Sequence, residues 1–132
     1  MQLPEPEARR RLTEARVVRL ATADAGGVPH LVPATFAVER DTILIAVDHK
    51  PKRHTNLRRL RNVAENPHVC VLADFYADEW TQLWWVRADG LARVTDGPTD
   101  ALVAKYPQYR DRPPTGPVLT IEVTRWSGWA YA

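Results

Sequence analysis

The sequence predicts a mainly β domain, a six-stranded antiparallel barrel with few helices, on three observations. Six runs rich in Val, Ile, Leu and Thr recur along the chain with turn residues between them. One helical segment interrupts them, after the third run, and no dinucleotide or phosphate-loop glycine motif is present. The length, 132 residues at 15.0 kDa, fits one domain over residues 1–132 that buries a real core yet leaves little room for a large enclosed site. A second subunit is therefore expected to complete any roomy pocket.

In chain order, residues 4–16 place acids early and Arg9, Arg10 and Arg11 late, with Ala8, Leu12 and Ala15 at helical spacing, which predicts a short amphipathic helix capping one end of a sheet. Residues 17–23 form the first strand, Asp24-Ala25-Gly26-Gly27 a hairpin turn, and residues 28–39 one long returning strand. After the turn at Arg40-Asp41 comes a third strand over 42–47. Thr55 is placed to cap a helix that runs to about Ala64 and is ended by Asn66-Pro67. Residues 69–75 make a fourth strand, and residues 83–94 a fifth that is bent or bulged near Gly90. A helical stretch over 98–106, a proline-rich connector over 107–117 and a final strand over 118–125 lead into the tail Trp126-Ser127-Gly128-Trp129.

The charge is distributed unevenly. Eighteen basic and 16 acidic residues give a net charge of +2, yet Lys50, Lys52, Arg53, Arg58, Arg59 and Arg61 fall within one segment that holds no acid. An anion is expected there, although so small a net charge provides no broad basic face for nucleic acid. Lys50, Lys52 and Arg53 surround the stiffening Pro51 and precede a helix whose free amides attract anions, a phosphate socket by chemistry. Arg58, Arg59 and Arg61 read equally as a solvated helix face.

Five tryptophans include the pairs Trp84-Trp85 and Trp126/Trp129. Neighbours in a strand point to opposite faces, so one of Trp84 and Trp85 enters the core while the other faces a groove or a partner, and one of Trp126 and Trp129 is free to stack on a planar ring. Arg87 shares the face of Trp85 and reads as an anion contact or as a surface arginine. Cys70, the single cysteine, is expected as a small core residue, which excludes an internal disulfide. His30, His49, His54 and His68 show no metal-ligand spacing and are expected at the surface or in loops. No nucleophile-base pairing stands out, so a cofactor is expected to carry the chemistry. The apolar runs are too short to span a bilayer and no signal pattern opens the chain, which points to the cytoplasm.

Leu20-Ala21-Thr22 with Gly27, Pro29, His30, Val32 and Pro33, then Asp48-x-Lys50-Pro51-Lys52, then Asn66-Pro67-x-Val69, then Trp80-x-x-Leu83-Trp84-Trp85-Val86-Arg87 with Gly90 and Ala92-Arg93-Val94, together resemble the pyridoxamine 5'-phosphate oxidase-like split β-barrel superfamily. The closest likeness is to its actinobacterial branch of deazaflavin (coenzyme F420)-dependent oxidoreductases. That resemblance implies an FMN-binding-protein-like homodimer with two sites at the subunit interface. It implies further that the backbone of Pro33, Ala34 and Thr35 lies along a tricyclic ring, and that Lys50, Pro51, Lys52, Arg53 and Thr55 hold the phosphate. Trp85 and Arg87 would approach from the fifth strand, with Trp126 or Trp129 closing the pocket. No Arg- and His-containing segment follows Trp129, in contrast to true pyridoxamine phosphate oxidases, so vitamin B6 oxidation is not expected. The six cations match the long anionic tail of F420 better than the one phosphate of FMN, which stays as the alternative cofactor. A non-catalytic flavin, deazaflavin or haem carrier is the alternative to an enzyme acting on a small conjugated organic substrate.

Overall fold

The computed structural model describes the backbone of residues 1–47 and 53–132 and the side chains of residues 1–47 and 58–132. Among these residues seven strands form one antiparallel sheet, β1 (Val18–Ala23), β2 (Pro29–Ala34), β3 (Ala37–Glu39), β4 (Thr42–Ala46), β5 (His68–Phe75), β6 (Trp84–Thr95) and β7 (Val118–Ala130), in the order β2-β1-β5-β6-β7-β4-β3. Among the described residues four α-helices accompany them: α1 (Glu5–Glu14), α2 (Arg53–Glu65), α3 (Asp100–Lys105) and α4 (Pro107–Asp111).

The expected six strands become seven because the run over 28–39 is two strands with different partners. β2 pairs with β1 as far as Ala34 opposite Val18, whereas β3 pairs only with β4, at the opposite edge of the sheet. Between them Phe36 turns wholly inward and its amide donates to the Tyr106 hydroxyl (3.1 Å) instead of to a strand. The two edges of the sheet are thus joined by Thr35 and Phe36 alone, which makes the curled sheet an antiparallel half-barrel split at that point.

The β1–β2 hairpin turns where expected: Asp24 Oδ1 accepts from the amides of Gly26 and Val28, and Gly27 supplies a positive φ of 84°. β6 and β7 pair over their whole lengths with a register shift at Asp89/Gly90, the bulge expected near Gly90. That pairing carries the last strand to Ala130, so Trp126 and Trp129 lie in a strand and not in a tail. The expected connector over 107–117 contains α4, begun by Pro107 at its first turn, where a missing amide costs nothing. α2 starts at Arg53, which makes Thr55 its third residue and not its cap.

The inward faces of the strands converge on one core that includes Val18, Leu20, Phe36, Ile43, Ile45, Val71, Val86, Leu119 and Ile121. α1 closes one end through Ala8 and Leu12, both without exposure, and its outer face is laced by Arg10 to Glu7 (2.7 Å) and Glu14 (3.0 Å). A smaller cluster, built on Ala37, Leu44, Leu102, Tyr106 and Val118, seats α3 on the far edge. No helix among the described residues is long and apolar enough to cross a membrane.

Candidate cofactor site at the split of the barrel

Pro33 and Ala34 end β2 and Thr35 follows at the split, and the three line a cleft of about 260 Å³ with Ala46, Arg59 and Tyr109. Ala34 is buried against the core, while Thr35 stays half-buried and hydrogen-bonds Tyr109 Oη at 2.8 Å. Arg59 is only 8% exposed. Its placement follows from helical spacing, since Arg59, Asn62 and Val63 share the buried face of α2. Asn62 fixes that face by donating to Thr22 Oγ1 (3.1 Å) on β1. Reading Arg58, Arg59 and Arg61 together as one basic run hid the fact that the middle one points in.

His30 lies beside Thr22 in the β1–β2 ladder, on the inward face of β2 and not in a loop. Its Nδ1 is buried and lacks a hydrogen-bond partner among the described residues. Burial first, then the charges of Arg58 and Arg59, lower its pKa below the ordinary 6.5. The charges of Arg58 and Arg59 thus reach the space beside His30 under α2. Lys50, Pro51 and Lys52 lie outside the described residues; Arg53 and Thr55 are placed as helix backbone only.

A second constellation occupies the outward face of the sheet. Trp85 and Trp129 are direct cross-strand partners. The Arg87 guanidinium sits 6.0 Å from the Trp85 ring centroid and its Nε donates to Asp89 Oδ2 (3.2 Å). Trp85 and Arg87 line a shallow cleft of about 350 Å³ with Leu72, Asp74 and Tyr76. Trp84 takes the opposite face and packs on the core. Trp126 is a core residue, 5% exposed, with its Nε1 donating to Asp41 Oδ1 (3.3 Å). Cys70 is half-buried on the outward face beside Asp89 and not in the core; burial pushes its thiol pKa up.

The two constellations do not meet within one chain. Successive registers align Pro33, Arg19, Leu72, Arg87 and Ser127 in one row across β2-β1-β5-β6-β7. Pro33 and Arg87 are then three strand steps apart, roughly 14 Å, on the same face.

A family model described as pyridoxamine 5'-phosphate oxidase matches residues 4–130. The chain belongs to the pyridoxamine 5'-phosphate oxidase family. Solved structures agree on the fold of this family member. An FAD-binding protein from Mesorhizobium loti superposes with a TM-score of 0.72 at 21% identity, covering 97% of this chain and 95% of that one. The FAD-binding protein from Mycobacterium smegmatis gives 0.65 at 19% identity, with 97% and 94% covered. The haem storage protein HutZ from Vibrio cholerae gives 0.67 at 16% identity, with 96% and 93% covered. No curated protein matches this oxidase-family chain.

Proposed function

We propose that this protein is a cytoplasmic F420-dependent oxidoreductase that transfers a hydride between the deazaflavin and a small conjugated organic substrate. The observation that carries the reading is the cleft at the split, where the Pro33-Ala34-Thr35 strip shares its lining with the inward-turned Arg59. When bound, the deazaflavin supplies the hydride chemistry. The strip and Ala46 provide a narrow wall for a flat ring, and Arg59 provides positive charge in the same cleft. Lys50, Pro51, Lys52, Arg53 and Thr55, the sequence's phosphate socket, carry the phosphate on this reading, and the remaining arginines of the segment meet the carboxylates of the tail.

The site belongs to a homodimer. The separation of Pro33 from Arg87 supports this, because Trp85, Arg87 and Trp129 of one protomer then close the cleft of its partner. So does the outward face, which leaves Leu31 at 66% exposure, with Tyr76 of the adjoining Trp85–Arg87 cleft at 65%.

Titration of the purified protein with F420 and with FMN, followed by ligand fluorescence, tests the reading. Micromolar F420 binding that weakens with salt and falls at least tenfold in Lys50→Ala/Lys52→Ala is expected. Tight FMN binding alone would transfer the protein to the flavin side. That second reading, an FMN enzyme or a flavin or haem carrier, is favoured by the structural likeness to FAD-binding and haem storage proteins. A carrier would bind reduced cofactor and reoxidise it with none of a panel of enones and quinones.

A further inference from the structure

Thr35 and Tyr109 stand in two clefts at once. On one side lies the narrow cleft of the Pro33-Ala34-Thr35 strip; on the other a wider one of about 470 Å³ is lined by Arg16, Tyr106, Pro107, Gln108 and the same two residues. The wider cleft is within the range of small-molecule pockets. Its walls are aromatic, with the Tyr106 and Tyr109 rings edge to face at 5.7 Å, and its rim is cationic, with the Arg16 guanidinium 4.9 Å from the Tyr106 centroid.

The two tyrosines differ in what their hydroxyls have left to give. Tyr106 Oη accepts from the Phe36 amide (3.1 Å) and donates to the Arg16 carbonyl (2.9 Å), so its one proton is spent inside the fold. Tyr109 Oη shares a 2.8 Å hydrogen bond with Thr35 Oγ1 and has no other partner among the described residues. Two hydroxyls carry two protons, and the bond between them uses one. Whichever of the pair donates, the other keeps a free proton, at the junction of the two clefts.

We infer that the wider cleft is the substrate site and that the Thr35–Tyr109 pair is its specificity-determining donor. The pair hydrogen-bonds the oxygen of a planar conjugated carbonyl compound, whose ring lies on Tyr109 and whose anionic substituent, where present, meets Arg16. The assignment to a substrate rests on the cofactor reading of the Pro33-Ala34-Thr35 strip. Discrimination against a carbonyl-free analogue follows because only the oxygen-bearing ligand satisfies the free hydroxyl.

The test is calorimetric titration of the full chain, without cofactor, with anthraquinone-2-sulfonate and with anthracene-2-sulfonate, a flat pair differing in the two carbonyls. Wild type should prefer the quinone. Tyr109→Phe, which keeps the ring, should raise the quinone Kd about 3- to 10-fold and leave the anthracene Kd unchanged, and Tyr109→Phe/Thr35→Val should equalise the two probes. Equal affinities in wild type, absence of binding, or a Tyr109→Phe effect on both probes alike would overturn the inference. F420 and FMN titrations on the same preparations separate the two readings. Cofactor binding without quinone preference sinks only the wider site, whereas quinone preference without cofactor binding sinks the cofactor reading and the name of substrate with it, and leaves the carbonyl-binding site and its donor pair standing.

Discussion

Arg59 and His30 show how charge carried on α2 acts on single side chains beneath it. Arg59 brings a guanidinium, 8% exposed, to a cleft whose other walls are Pro33, Ala34, Thr35, Ala46 and Tyr109. Hydrogen bonds to a charged donor are the stronger kind. Arg59→Met, close in length, should therefore raise the Kd for F420 about tenfold and flatten its salt dependence; an unaltered Kd would remove Arg59 from the site. His30 responds to the same field. With its folded pKa below 6.5, the folded chain binds fewer protons than the unfolded chain as the pH falls through 6.5, so His30 subtracts stability on acidification. A bound polyanion reverses the sign of the local charge and raises the His30 pKa. Cofactor affinity should accordingly strengthen from pH 7.5 to 5.5, and His30→Gln should abolish most of that change; an identical pH profile in the variant would refute the coupling. The sequence exposed the charges of this region but not their directions, because three arginines within four positions of a helix cannot all face one way. It was silent on Tyr109, which lies far along the chain in a stretch that reads as a proline-rich connector.

Among the elements, β6 and β7 carry the longest pairing, and its geometry depends on Gly90. A Cβ there would stand 2.4 Å from the Glu122 carbonyl oxygen and 2.8 Å from Ile121 Cγ2, next to the register shift. Neither the backbone atom nor the buried methyl can retreat cheaply, so Gly90→Ala should lower stability by about 1–3 kcal/mol, read from urea unfolding. A variant as stable as wild type would mean that the bulge relaxes. The bulge was legible because a glycine within a long strand has few other uses. The extension of β7 through Trp126 and Trp129 was not, since Ser127-Gly128 reads locally as a chain break and only pairing with β6 makes it a strand. The division of residues 28–39 into β2 and β3 was hidden for a similar reason. Ala34 to Ala37 is apolar enough to continue a strand, and the departure is dictated by partners at opposite sheet edges.

At the scale of the whole molecule, period-two patterning gave the fold class and most strand positions, but strand order is a property of the assembled sheet. The proposed site shares that limit, since its two halves lie on one face about three strands apart and, on the reading proposed above, a second copy of the chain brings them together. Light scattering on wild type should accordingly return twice the 15.0 kDa chain mass. Leu31→Arg, a change at a position 66% exposed on an edge strand, should return a folded monomer with weakened F420 binding. A monomeric wild type would disprove the shared site.

The strand order also governs how the chain reaches this state. β1–β2, β3–β4 and β5–β6 pair as neighbours in sequence, but Leu20 must find Val71 and Leu44 must find Thr120 before the sheet is continuous. These two seams each enclose a long loop whose ordering entropy is lost before any contact compensates it. Folding is then limited by the seams, in milliseconds to seconds as for other sheets rich in distant contacts. A substitution at Leu20 or Leu44 that spares the hairpins slows the search for the native topology without altering the local structures from which it starts.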